Sequence, residues 1–103
     1  MVKTSHDIVI KKKYGQHFLR DQAVLNTMLD AVEIDKNTSV FEIGCGDGFL
    51  TQAILQTPVA RVWVFEIDPE WAGFVRNKLK DSRLTVYQEN FLDVDMARLE
   101  MHA

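Results

Sequence analysis

Cysteine is almost absent. Cys45 stands alone among 103 residues, so no internal disulfide framework holds this chain, and a reducing compartment suits it. Proline is confined to Pro58 and Pro69, the five glycines are sparse, and there is no low-complexity tract. No apolar run approaches the roughly 20 residues that a membrane span needs. The opening stretch, MVKTSHDIVIKKKYG, lacks the long apolar core and small-residue cleavage site of a secretory signal. His6, His17 and His102 share no metal-ligand spacing with one another or with Cys45, so no metal site is expected. What remains is ordinary globular composition, 47% hydrophobic and 26% charged, at a length that suffices for one small domain.

The formal charge of −3 conceals a division. Residues 1–20 hold five bases and one acid, whereas residues 21–103 hold seven bases and fourteen acids. A basic arm on an acidic body suggests that contact with a polyanion would begin at the arm, although a lysine triplet also suits a solvated terminus.

Periodicity divides the body into alternating elements. Apolar residues at Val24, Leu25, Met28, Leu29 and Val32 predict a helix over Asp21–Glu33, with Asp21 as its cap. Thr38–Ile43 reads as a strand, Leu50–Gln56 as a helix, and Arg61–Ile67 as the clearest strand. Asp68-Pro69 is a strong helix start, and Trp71, Phe74, Val75 and Leu79 supply that helix with an apolar face. Leu84–Gln88 is a third strand, and Asp95–His102 a last helical piece. Strands alternating with helices imply right-handed crossovers and a parallel sheet. The expectation is an α/β fold, Rossmann-like, of three parallel strands with helices on both faces.

The most informative segment is Glu42-Ile43-Gly44-Cys45-Gly46-Asp47-Gly48, where a strand ends and a helix begins. Glycines there allow a tight turn and close approach of a ligand to the backbone. Glu66 follows Gly46 by twenty residues, at the end of the next strand, where a carboxylate can accept from ribose hydroxyls. Together they describe a nucleoside-cofactor site. A dinucleotide fingerprint would need glycine at position 49, which is Phe49, and Glu42 beside the loop would repel a pyrophosphate. A cofactor bearing a cationic sulfonium fits better, which points to S-adenosyl-L-methionine. Cys45 has no base placed to activate it and reads as structural.

Four segments, KKKYGQHFLRD, VFEIGCGDGFLT, VFEIDPEWA and LTVYQENFLDVD, closely resemble the ribosomal RNA adenine N6,N6-dimethyltransferase family. The resemblance runs from about Lys11 onward, and its most specific part is the GQHFL pentapeptide. It implies a class I methyltransferase fold, S-adenosyl-L-methionine as cofactor, and a cytoplasmic role in ribosome biogenesis on small-subunit ribosomal RNA or a pre-ribosomal particle. It implies that His17 and Leu19 contact the cofactor, that Gly44 approaches its methionine part, that Glu66 holds the ribose, and that Asn90 sits by the adenine. The family usually has Asn where this chain has His17, and Asp where it has Asn90. Lys11, Lys12 and Lys13 become candidate RNA phosphate contacts.

The family's Asn-Leu-Pro-Tyr type tetrapeptide, which holds the target amine, does not occur in these residues, so no catalytic residue is assigned. The chain is therefore expected to comprise the basic arm (1–20) and a partial methyltransferase domain (21–103), inactive alone. The resemblance places Thr38–Ile43 in mid-sheet, so here it would be an open apolar edge inviting self-association. Two other readings stand beside this one. The first is a non-catalytic RNA-binding or transcription-factor-B-like relative; the second is an NAD-dependent α/β enzyme, against which Phe49 and GQHFL speak.

Overall fold

The structure, a computed structural model, describes residues 6–11 and 22–90. Seven elements follow one another: β1 (His6–Lys11), α1 (Gln22–Ala31), β2 (Thr38–Ile43), α2 (Phe49–Leu55), β3 (Arg61–Phe65), α3 (Pro69–Lys78) and β4 (Leu84–Tyr87). The four strands form one parallel sheet in the order β1-β2-β3-β4. Among the described residues no helix is long and apolar enough to cross a membrane. The expected helix over Asp95–His102 and the capping role of Asp21 fall outside the described residues.

The α/β class and the parallel sheet agree with the sequence pattern. The strand count does not: there are four. His6–Lys11, taken with the lysines as part of an arm, pairs with β2 along its whole length, from His6 opposite Thr38 to Lys11 opposite Ile43. The β-branched run Ile8-Val9-Ile10 explains it, since such residues suit a pleated, half-buried surface. The edge of Thr38–Ile43 expected to lie open is thus occupied, which removes the proposed route to self-association through that edge.

Register decides which side chains meet. Ile8, Val40, Val62 and Leu84 stand in one row across the sheet, and Ile10, Glu42, Val64 and Val86 in the next. Phe41 and Trp63 belong to the opposite face, with Phe65 and Tyr87. Leu25 and Leu29 of α1, Leu50, Ala53 and Ile54 of α2, and Val75 of α3 all join the aliphatic rows in one core. All three described helices therefore lie on one face, not on both as expected. The topology requires this: right-handed crossovers that step the same way across a sheet leave every connecting helix on the same side. The other face is aromatic, with Phe41 and Trp63 ring centroids 4.9 Å apart and Phe65 and Tyr87 stacked at 5.2 Å.

The helix starts follow their local chemistry. The Asp68 carboxylate accepts the Glu70 N–H at 2.9 Å, and Pro69 takes the first helical position, where its missing N–H costs nothing. Gly48 opens α2 at φ 83°, and a Cβ there would lie 3.1 Å from Val75 Cγ2. That close approach selects the buried side of α3. Ala72 and Val75 face the core, while the bulky Trp71 and Phe74, expected to be buried, turn outward and pack edge to face at 5.9 Å.

At the opposite end of the strands, Arg83 fastens two crossovers together. Its guanidinium donates to the carbonyls of Thr57 at 3.0 Å, Val59 at 3.3 Å and Leu55, all at or just past the end of α2. It also pairs with Asp81 at 2.8 Å, and this partner holds the Asp81 carboxyl down at about 2. Replacing Arg83 with Met should leave those carbonyls without their donor and cost about 1–3 kcal/mol. Urea denaturation at neutral pH, read as a lower midpoint with unchanged slope, checks this.

Candidate functional site

Two turns meet at the carboxyl ends of the strands, where open α/β sheets bind their ligands. The first runs from β2 through Gly44–Gly48 into α2, and the second from β3 through Glu66, Ile67 and Asp68 into α3. Gly44, Gly46 and Gly48 take φ values of 78°, 53° and 83°, the left-handed region that side chains disfavour. The loop is therefore glycine-rich because its path demands it.

Glu66 joins the two turns. Its Oε1 accepts the Cys45 N–H at 3.0 Å and the Gly46 N–H at 3.3 Å, while Oε2 accepts the Asp68 N–H at 3.2 Å. An ionised carboxylate offers about four acceptor positions, so these bonds leave one, on Oε2. Three further N–H groups of the loop and the helix start are committed as well. Gly44 N–H bonds the Phe65 carbonyl at 2.9 Å, Gly48 N–H the Cys45 carbonyl at 3.0 Å, and Phe49 N–H the Asp47 carboxylate at 3.1 Å. A pyrophosphate needs free N–H groups at such a loop. This loop instead has its donors turned inward and carboxylates around it.

Beneath the loop lies Glu42, 1% exposed, in the row otherwise made of Ile10, Val64 and Val86. Its bond is from the Thr51 hydroxyl of α2 at 2.6 Å. Burial pushes its carboxyl up to about 8, against the opposing pull of that hydroxyl. Cys45 stands close by, its Sγ 3.7 Å from Glu66 Oε1. Burial, and then the neighbouring Glu42 and Glu66, push its thiol up to about 12. It stays protonated and is no nucleophile. Among the described residues no group of His, Cys, Asp and Glu could hold a metal ion.

Of the residues expected from sequence, Gly44 and Glu66 come together here, and Asn90 is exposed and follows the carboxyl end of β4, the same end of the parallel strands. Lys11 ends β1 opposite Ile43, the residue that precedes Gly44. His17, Leu19, Lys12 and Lys13 lie outside the described residues. One group bonded into the site, Thr51, had no signal in the sequence beyond its place in the first turn of α2. Ile67, directly after Glu66, is 68% exposed.

The chain matches the family model described as ribosomal RNA adenine dimethylase over residues 8–102. It belongs to that family. Its curated relatives include the ribosomal RNA small subunit methyltransferase A proteins of Streptococcus gordonii (39% identical), Streptococcus sanguinis (37%) and Streptococcus pneumoniae (38%), each aligned over 94 residues. The alignments cover 90% of this chain but 32% of each relative, so the chain spans about a third of their length.

The buried acid has a consequence for stability. The folded Glu42 keeps a proton that the unfolded chain releases near 4.5. Between that value and about 8 the folded state binds more protons, so stability falls as pH rises through this window, by ~1.4 kcal/mol per unit at its steepest. Glu42→Gln should flatten the dependence between pH 5 and 8, measured by urea midpoints across that range.

Proposed function

We propose that this chain forms the cofactor-holding portion of an S-adenosyl-L-methionine-dependent adenine N6,N6-dimethyltransferase acting on small-subunit ribosomal RNA in the cytoplasm. The observation that carries the choice of cofactor is the direction of the loop's hydrogen bonds. Its N–H groups at Gly44, Cys45, Gly46, Gly48 and Phe49 are satisfied within the protein, and Glu66 and Asp47 contribute carboxylates around it. That arrangement repels the pyrophosphate of a dinucleotide and favours a ligand with a positive centre.

Within this reading the open acceptor on Glu66 Oε2 takes a ribose hydroxyl, and the exposed Ile67 gives the adenine an apolar surface. Gly44 lets the methionine part lie close to the backbone, His17 and Leu19 contact the cofactor, and Asn90 meets the adenine edge with its amide. When bound, the cofactor supplies an electrophilic methyl group. The protein's part is to position it, because an adenine amine is a weak nucleophile whose lone pair is delocalised into the ring. The family's amine-binding tetrapeptide does not occur in these 103 residues, so the chain alone binds cofactor and transfers nothing. Lys11, Lys12 and Lys13 then serve as phosphate contacts for the RNA.

Titration calorimetry with S-adenosylhomocysteine and with NAD tests the cofactor assignment. Binding of the first alone is expected, with at least a tenfold loss in Glu66→Ala; preference for NAD overturns it. Incubation with labelled cofactor and small-subunit ribosomal RNA should leave the RNA unlabelled.

A further inference from the structure

Glu42 is set where an acid is costly. Its neighbours in the sheet row are Ile10, Val64 and Val86, and its hydrogen-bond donor is the neutral Thr51 hydroxyl at 2.6 Å. The aliphatic core on this face of the sheet draws Leu25 and Leu29 from α1 and Val75 from α3. The titratable groups that face it are Glu66, at the end of β3, and the Cys45 thiol in the loop. Among the described residues no Lys, Arg or His forms an ion pair with either carboxylate. A buried anion without a cation is unfavourable, and the group takes a proton instead. Yet Glu42 ends two residues before Gly44, directly under the loop that the cofactor reading assigns to the methionine part of the ligand.

We infer that Glu42 senses the charge of the ligand: it is neutral in the free protein and ionised when a sulfonium cation lies over the Gly44–Gly48 loop, so that uptake of the methyl donor expels a proton while uptake of its demethylated product does not. This rests on the cofactor reading above. The two ligands differ by one methyl group and one charge. When the S–CH3 bond breaks, its electron pair stays on sulfur, which becomes a neutral thioether. The carbon bonds to the acceptor nitrogen, which sheds a proton. Glu42, no longer facing the sulfonium charge, then regains its own proton from solvent. The site thus holds the donor more firmly than the spent product at neutral and higher pH. The burial that pushes Glu42 up to about 8 places the exchange within the ordinary working range.

Calorimetry of the 103-residue chain at about pH 6.5, in two buffers of different ionisation enthalpy, counts the protons released. S-adenosylmethionine should release close to one proton per site and S-adenosylhomocysteine close to none. The ratio of their affinities should rise toward tenfold per pH unit between about pH 6 and 8. In Glu42→Gln, which keeps an acceptor for Thr51, proton release should vanish and the ratio should become flat. Equal proton release by both ligands overturns the inference while leaving the cofactor reading intact, as does release that survives in Glu42→Gln. Failure of the unsubstituted chain to bind either ligand overturns both. If Glu42→Gln does not fold, the comparison of the two ligands on the unsubstituted chain decides alone.

Discussion

Three hydrogen bonds to one carboxylate hold the working end of this sheet together. Glu66 belongs to the turn after β3, yet it accepts from Cys45 and Gly46 of the turn after β2 as well as from Asp68 at the start of α3. Without it, a loop with three left-handed glycines would have inward-pointing N–H groups and nothing to receive them. The same residue thus shapes the loop and leaves one acceptor open on Oε2. A substitution there disturbs the loop itself, so under the proposed cofactor reading its effect on affinity has to be read beside stability.

The electrostatic character of the site follows from that arrangement. A glycine loop before a helix ordinarily gathers anions, because free N–H groups and the helix dipole point at the ligand. Here Glu66 and Asp47 intercept the N–H groups, and Glu42 adds a further acid beneath. The motif is superficially that of a phosphate cradle, but its polarity is reversed. Phe49, where a dinucleotide fingerprint has glycine, is the visible sign in the sequence; the inward donors are the physical cause.

Much of this was legible beforehand. The strands Thr38–Ile43 and Arg61–Phe65 and the Asp68-Pro69 helix start emerge within a residue or two, because β-branched content and capping chemistry are local properties. The loop and Glu66 were legible from spacing. β1 was not, because the short run Ile8-Val9-Ile10 borders a lysine triplet and its strand character depends on pairing with β2. The buried side of α3 was misjudged for a related reason. Periodicity offered Trp71 and Phe74 to the core, but the closeness of Gly48 to Val75 admits only smaller residues there. Nor could the sequence show that Glu66 is three-quarters occupied by the protein itself, since that depends on two turns meeting.

The unidirectional order of the sheet has a kinetic meaning. Val40 pairs with Val62, and Val62 with Leu84, so each of these strands docks on one made 22 residues earlier. No pairing among β2, β3 and β4 waits for a distant part of the chain, and the loops to be closed are short and alike. The sheet can therefore be laid down strand by strand in the order of synthesis, each βαβ unit offering a finished edge to the next. The glycine loop and Glu66 meet as soon as β3 has docked, before β4 is in place.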